Sequence, residues 1–419
     1  MTRPRAVIVV TGSELVRGEL TDLNGPFLAR EVLALGLEPA RIEIVGDRPE
    51  ELEAALREGL GADLCVVSGG LGPTHDDRTV ELLAKAAGRE LVVDRALEAE
   101  IEGISRAFAE RLNRPYADFA AGVTKQATLP AGAISLGLAG TAPGTVIALD
   151  GERVAVSLPG PPGELRRLWP NAVATEPFRR LLERALPPGR RVLRLFGASE
   201  SAVARALAEA GGDGGGVEAT ICARDFEIHV DLLVEPGAER RADELTERLL
   251  EPLGRYLFAR DERPIEELVL SLCRAQGLTL ATAESCTGGL VAARLTSVPG
   301  ASDVLIGGIV SYADSVKHSS LGVPGELLER HGAVSSEAAA AMAAGARERM
   351  GADVAVSVTG IAGPSGGSAE KPVGLVYLYA EGPGGGLARE LNLPGDRETV
   401  RVRATVSALH LVRRLLTQS

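Results

Sequence analysis

The sequence predicts an α/β fold, with parallel sheets toward both ends of the chain and a small α+β module between them. Two observations predict it. Short apolar runs alternate with 3.6-period helical stretches from residue 5 to about 90, and the alternation resumes after residue 259. Turn residues punctuate both regions, with 50 glycines and 24 prolines in the chain.

Taken in order, Arg5 to Val10 is a branched apolar strand, Leu20 to Leu35 a helical period closed by Gly36, and Arg41 to Val45 a second strand. Pro49 suits a first helical turn and opens Pro49 to Leu60, and Asp63 to Val67 is a strand apolar enough to be buried on both faces. Helices Thr79 to Ala87 and Ala96 to Leu112 follow. Two short strands, Gly144 to Leu149 and Val154 to Leu158, are joined by Asp150-Gly151 as a hairpin turn, and Leu158-Pro-Gly-Pro-Pro-Gly163 returns to the domain edge. Trp169-Pro170 starts a new helical stretch that Pro187-Pro-Gly189 breaks, which predicts a boundary near residue 170. The module then reads helix, strand Arg191 to Phe196, helix Glu200 to Ala210, strands Gly216 to Ala223 and Phe226 to Val234, and a helix. Beyond it come the helix Ile265 to Gln276, the helix Leu290 to Ser297, and strands Val304 to Ser311, Val354 to Thr359 and Val373 to Tyr379. The expected domains are 1–170, 171–258 and 259–419.

Composition excludes several classes. A net charge of -12 and a pI near 5.2 oppose a nucleic-acid surface, which needs clustered Lys and Arg, so no nucleic-acid partner is expected. The apolar run Ala6 to Val10 is too short for a signal peptide and no run approaches the ~18 apolar residues of a membrane span, so a cytoplasmic protein with no membrane partner is expected. Cys65, Cys222, Cys273 and Cys286 lie apart without Cys-x-x-Cys spacing, and no His pair is spaced as zinc ligands on one helix.

Two stretches carry chemistry. In Leu278-Thr-Leu-Ala-Thr-Ala-Glu-Ser-Cys-Thr-Gly-Gly289 an apolar run ends at Ser285 in a tight turn, and a helix opens on two glycines. Amides of Thr287, Gly288 and Gly289 at that helix start are candidate donors to an oxyanion or phosphate, while the alternative is that Ser285 or Thr287 simply caps the helix. Of 45 basic residues only Lys85, Lys125, Lys317 and Lys371 are lysine, and an ammonium, unlike a guanidinium, can serve as a base. Lys317 is therefore the candidate base for Ser285. Lys371 competes with it, and Cys286 with His318 forms a rival nucleophile and base. Near the other end, Asp63-Leu-Cys-Val-Val-Ser-Gly-Gly-Leu-Gly-Pro runs from a strand into a glycine loop, where Gly69, Gly70, Gly72 and Thr74 are candidate diphosphate contacts. The adjacent carboxylates Asp76 and Asp77 repel unless a divalent cation sits between them, with Glu14 as a third ligand; alternatively they complement the dipole of the next helix.

Glu284-Ser-Cys-Thr-Gly-Gly289, Tyr312 with Lys317, Thr359-Gly-Ile-Ala-Gly-Pro364 and Lys371-Pro-Val-Gly374 together resemble the C-terminal domain of the CinA family. Thr11-Gly-Ser-Glu-Leu15 and Ser68-Gly-Gly-Leu-Gly-Pro-Thr-His-Asp-Asp-Arg-Thr79 resemble that family's N-terminal domain, a molybdopterin-binding-like three-layer fold. The resemblance implies a KH-like middle domain. Its loop Gly211-Gly-Asp-Gly-Gly-Gly216 lies between helix and strand with no basic residue of its own, which opposes RNA clamping. It also implies hydrolysis of the carboxamide of nicotinamide mononucleotide, without a cofactor, by Ser285 as nucleophile and Lys317 as base. Tyr312 would relay a proton, and Thr359, Gly360 and Arg397 would contact the nucleotide. For the N-terminal domain it implies metal-dependent hydrolysis of ADP-ribose to AMP and ribose 5-phosphate, and for the chain a homodimer. The alternative is a nucleotide- or pterin-binding regulatory protein, linked to competence or damage responses, without catalysis.

Overall fold

Branched aliphatic runs form the strands and glycine-terminated amphipathic helices cover them, in a computed structural model that describes residues 3–418. The chain divides into two units, Met1–Gly189 with Val234–Glu239, and Arg190–Leu233 with Arg240–Ser419. Among the described residues no helix is long and apolar enough to cross a membrane.

In the first unit, strands β1 (Arg5–Thr11), β2 (Glu38–Val45) and β3 (Leu64–Ser68) are joined by helices Asn24–Ala34 and Pro49–Gly59. A two-stranded ribbon of β4 (Leu91–Val93) and β5 (Thr128–Pro130) follows, then β6 (Ile134–Leu138), β7 (Pro143–Ala148) and β8 (Val154–Leu158). The main sheet runs β2-β1-β3-β8-β7-β6, with β2, β1, β3 and β8 parallel. Every residue of β3 is buried, because Leu64 and Val66 pack on one face with Leu28, Val32 and Leu165 while Cys65 and Val67 pack on the other with Leu52, Leu56 and Leu83.

Two expectations change here. The β7–β8 hairpin forms, but its turn is the 3₁₀ segment Asp150–Glu152, with Glu152 in the left-handed region at φ 66°. The boundary near residue 170 falls differently: Pro170 lies inside the helix Pro162–Ala174. Leu165, Leu168, Trp169 and Ala172 make that helix's buried face, and burying four such side chains outweighs a proline cost of about 3 kcal/mol. Trp169 meets Phe178 edge-on at 5.6 Å, and its Nε1 donates to Glu31 at 3.1 Å. The helix Glu176–Leu182 therefore joins the first unit's core, so residues 171–188 pack with the N-terminal sheet rather than opening the middle module.

The second unit carries two sheets. The smaller runs β10-β11-β9-β12, from β9 (Gly189–Phe196), β10 (Val217–Arg224), β11 (Glu227–Val234) and β12 (Leu257–Ala259), with helices Glu200–Glu209 and Glu239–Leu253. The larger runs β14-β13-β15-β16-β17, from β13 (Leu280–Glu284), β14 (Leu305–Val310), β15 (Val354–Gly360), β16 (Leu375–Gly382) and β17 (Gly385–Asn392). Strands β14, β13 and β15 are parallel, β16 runs antiparallel to β15, and β17 antiparallel to β16. Helices Ile265–Gln276 and Arg397–Thr417 cover one face and Ser336–Met350 the other. The parallel strands thus deliver their carboxyl ends, and the loops that follow, to one edge.

Candidate active site

Ser285 leaves β13 at that edge, 8% exposed, its amide donating to Val358 O at 2.8 Å. The preceding residue organises the turn. Glu284 is 1% exposed, and its Oε2 accepts the amides of Gly289 and Val291, each at 3.0 Å, while Oε1 accepts the Ala292 amide at 2.9 Å and the Thr282 hydroxyl at 3.3 Å. A carboxylate therefore satisfies the start of the helix Leu290–Thr296 from below. Gly288 and Gly289 take φ of 63° and 97°, the left-handed region, as the turn requires.

This arrangement revises the expected oxyanion donors. The Gly289 amide is committed to Glu284, and the Gly288 amide donates to Ser285 O at 3.1 Å. Of the three candidates the Thr287 amide remains, and it lies beside the Cys286 sulfur. The Thr287 hydroxyl is buried with no hydrogen-bond partner, an unmet polar group at the turn.

Lys317 and Tyr312 reach the same edge through β14. The Ser311 amide donates to Glu284 O at 2.8 Å, which sets Tyr312 just beyond the Ser285 turn. Lys317, on the helix Asp314–Leu321, is 1% exposed, and its ammonium donates to Tyr312 O and Asp314 Oδ1, each at 3.3 Å. Among the described residues no hydrogen bond joins Ser285 Oγ to Lys317 Nζ; such contacts are commonly long before substrate arrives. Tyr312 is no core aromatic, being 61% exposed, and its hydroxyl accepts from Arg397 at 2.9 Å. Arg397 also donates to Gly363 O at 2.8 Å. Two hydrogen bonds thus hold it over the edge, with its side chain exposed.

Thr359 and Gly360 end β15 as expected, but their groups are engaged. The Thr359 hydroxyl donates to Ala333 O at 2.7 Å, and a Cβ on Gly360 would lie 2.7 Å from Leu375 O, so this glycine serves strand packing. Arg401, one turn beyond Arg397, was not legible as a site residue; it donates to Thr287 O at 2.9 Å and shares with Arg397 and Leu290 a cavity of about 430 Å³. Its spacing of four from Arg397 was the available signal.

The rivals fare differently. Burial pushes the Cys286 thiol up to about 12, the reverse of activation, and His318 Nδ1 faces Val323 O at 2.8 Å. Lys371 donates to His331 O and Val334 O at 2.8 and 2.7 Å, a clamp on that loop.

In the first unit the glycine loop sits at the carboxyl ends of β1, β3 and β8. Gly69 and Gly70 have φ of 104° and 64°, and added Cβ atoms would meet Thr11 O at 2.5 Å and Thr79 Oγ1 at 2.3 Å. Two buried polar atoms here lack partners, Asn24 Oδ1 and Thr79 Oγ1. Asn24 donates to Gly160 O at 2.7 Å and Ser68 Oγ at 3.0 Å, and it escaped sequence reading because it begins an ordinary helix. Gly70, Gly72, Asp77 and Lys125 line a cavity of about 220 Å³.

The expected metal ligands do not come together. Among the described residues no group of three or more His, Cys, Asp and Glu side chains is placed to hold a metal ion. Asp77 Oδ2 accepts the Thr74 amide at 3.0 Å and also the Thr74 hydroxyl, so it closes its own turn. Asp76 pairs at 3.9 Å with an exposed His75, and Asp47 rather than Glu14 binds the first loop, accepting the Ser13 hydroxyl at 2.6 Å and the Thr11 hydroxyl at 3.2 Å. Local hydrogen bonds to Thr74 have thus captured Asp77, a carboxylate that spacing alone assigned to a cation.

Comparison with known proteins agrees at both ends. The CinA C-terminal domain profile matches residues 262–416, and a probable molybdopterin binding domain matches residues 7–178. A CinA-like protein of Mycobacterium avium (strain 104) is 46% identical over 433 residues, covering 99% of each chain. One from Mycobacterium tuberculosis (strain ATCC 25177 / H37Ra) is 43% identical, covering 98% of this chain and 97% of its own. A solved structure, the competence/damage inducible protein CihA from Agrobacterium tumefaciens, is 43% identical over 38% of this chain and 100% of its own, with a TM-score of 0.36.

Proposed function

The chain belongs to the CinA family, and from that membership we propose that its C-terminal domain is an amidohydrolase converting nicotinamide mononucleotide to nicotinate mononucleotide and ammonia. The observation that carries this reading is the meeting of Ser285, Lys317, Tyr312 and Arg397 at one sheet edge, with Arg397 bonded to the Tyr312 hydroxyl. Ser285 Oγ attacks the carboxamide carbon and Lys317, as the free amine, takes its proton. The Thr287 amide receives the oxyanion, in a site dry enough to give one donor weight. The carbon–nitrogen bond then breaks as Tyr312 hands its proton to the departing nitrogen and takes in its place the proton Lys317 holds, so ammonia leaves a nicotinoyl ester on Ser285 and Lys317 is again a free amine. Water, deprotonated by Lys317, attacks the ester, and the proton returns to Ser285 as the acid is released. Arg397 and Arg401 supply the charge for the substrate phosphate.

Ammonia release from nicotinamide mononucleotide, with free nicotinamide as control, tests the reading directly. Turnover of the nucleotide alone is expected; none from the wild-type protein would favour a regulatory binding protein instead. Arg397→Gln is expected to raise KM for the mononucleotide by about tenfold or more with a smaller effect on kcat, since it removes phosphate binding rather than chemistry. An unchanged KM would take the phosphate elsewhere.

For the N-terminal unit the unpartnered Thr79 hydroxyl beside Gly70, a free donor, favours a diphosphate ligand, and with it hydrolysis of ADP-ribose to AMP and ribose 5-phosphate. The carboxylates as they stand do not make a metal seat, so this half is assigned only the binding and cleavage of the diphosphate. AMP formation measured with and without an added divalent cation is expected to be lost in Gly70→Ala, whose methyl group would displace Thr79. Wild-type protein forming no AMP under either condition removes this half.

A further inference from the structure

A large cavity of the second unit lies away from Ser285. It measures about 610 Å³, within the range of small-molecule sites, and is lined from the smaller sheet, β16, β17 and the carboxyl half of the helix Arg397–Thr417.

Its charge is unlike the rest of the chain. Arg255, Arg389, Arg413 and Arg414 line it, with no acidic residue among the lining side chains. In a protein with 57 acidic residues, none of these four forms an ion pair among the described residues, although arginines elsewhere in the chain pair repeatedly with Asp and Glu. Burial, with Arg414 beside it, holds the Arg413 guanidinium below its usual range against the opposing pull of Glu227, whose carboxylate is taken up by His410 and His229. Four unpaired guanidinium groups around one hollow repel one another unless an anion is present.

Unmet hydrogen bonds point the same way. Ser407 Oγ, His410 Nδ1 and Arg413 Nε are buried without partners, three residues apart on one helix face, and all three side chains line the cavity. Ser407 and His410 are 5% and 3% exposed. His410 Nε2 bonds Glu227 Oε1 at 2.7 Å, so a neutral ring presents Nδ1 as an acceptor, which suits a hydroxyl. Aromatic surface completes the wall. Phe196 stacks on His410 at 3.7 Å, Phe226 is 42% exposed at the β10–β11 turn, and Tyr256 lies beside Arg255.

We propose that this cavity binds a phosphorylated nucleoside, with the arginines on the phosphate, Ser407 and His410 on the sugar hydroxyls, and the aromatic wall against the base. The site is separate from the proposed hydrolytic centres. Titration calorimetry on the full chain with AMP, pyrophosphate and inorganic phosphate tests it. AMP is expected to bind more tightly than either inorganic ion. Arg389→Glu combined with Arg414→Glu, both exposed positions, should weaken AMP by about tenfold or more, and Phe226→Ala should weaken AMP while sparing pyrophosphate. AMP is also the product proposed for the N-terminal unit, so these titrations are made in the Gly70→Ala background, where, and equally with Ser285→Ala or Arg397→Gln added, the cavity should still take up AMP, which separates it from both proposed centres. Unaltered AMP affinity in the double variant, loss of AMP binding in Arg397→Gln or Gly70→Ala, or no binding at millimolar AMP overturns the site. Equal affinity for AMP and inorganic phosphate overturns the nucleoside assignment.

Discussion

Ser285→Ala is expected to lower ammonia release from nicotinamide mononucleotide by about 10³-fold or more, because it removes the hydroxyl that β13 delivers to the Lys317 edge as the proposed nucleophile. Lys317→Met should lose a comparable factor, and the double variant should lose little beyond either single one, since nucleophile and base act as a unit. Cys286→Ala should stay within about threefold of wild type, given a thiol that burial holds protonated. Side-by-side kcat values for the four variants decide the matter. Activity that survives Ser285→Ala and vanishes in Cys286→Ala would reverse the assignment of the nucleophile.

Glu284→Ala carries the second large effect, and it acts through the backbone. Removing the carboxylate leaves the amides of Gly289, Val291 and Ala292 and the Thr282 hydroxyl facing an apolar core, a loss of about 3 kcal/mol or more. Glu284→Gln should fare little better. Glutamine offers one acceptor oxygen where both carboxylate oxygens now accept, and it turns an NH₂ group toward two donors. Both variants are expected to lower the melting temperature of the second unit by about 6 °C or more and to abolish turnover, because the Ser285 turn hangs on this side chain. Wild-type melting of Glu284→Gln would mean that the turn holds itself.

The sheets were legible where burial is two-sided: β1, β3, β13 and β15 are runs of small or branched apolar residues that little else would explain. Strand β17 was not, because it lies at a sheet edge and mixes Gly385 and Gly386 with Arg389 and Glu390. Pro170 misled for a related reason, since a local rule yielded to the burial of Trp169. At the candidate site, residue types and spacing singled out Ser285 and Lys317, while Tyr312 and Arg397 came from the family resemblance, and the fold brings the four to one sheet edge. Spacing could not tell which amides were spoken for, so Glu284 was quoted within a motif without its role. The glycine loop was likewise legible, whereas the expected set of Asp76, Asp77 and Glu14 does not come together, because the Thr74 hydroxyl and amide, bonds invisible in sequence, claim Asp77.

The scarcity of lysine has a consequence for chemical probing. Of the four lysines, Lys317 is sealed at 1% exposure and Lys371 is tied to two carbonyls, whereas Lys85 is 60% exposed. An amine-directed acylating reagent would label Lys85 quickly and reach Lys317 only when the segment after β14 opens. The slow appearance of label at Lys317 would then be a clock for that opening, read against an internal standard on the same chain.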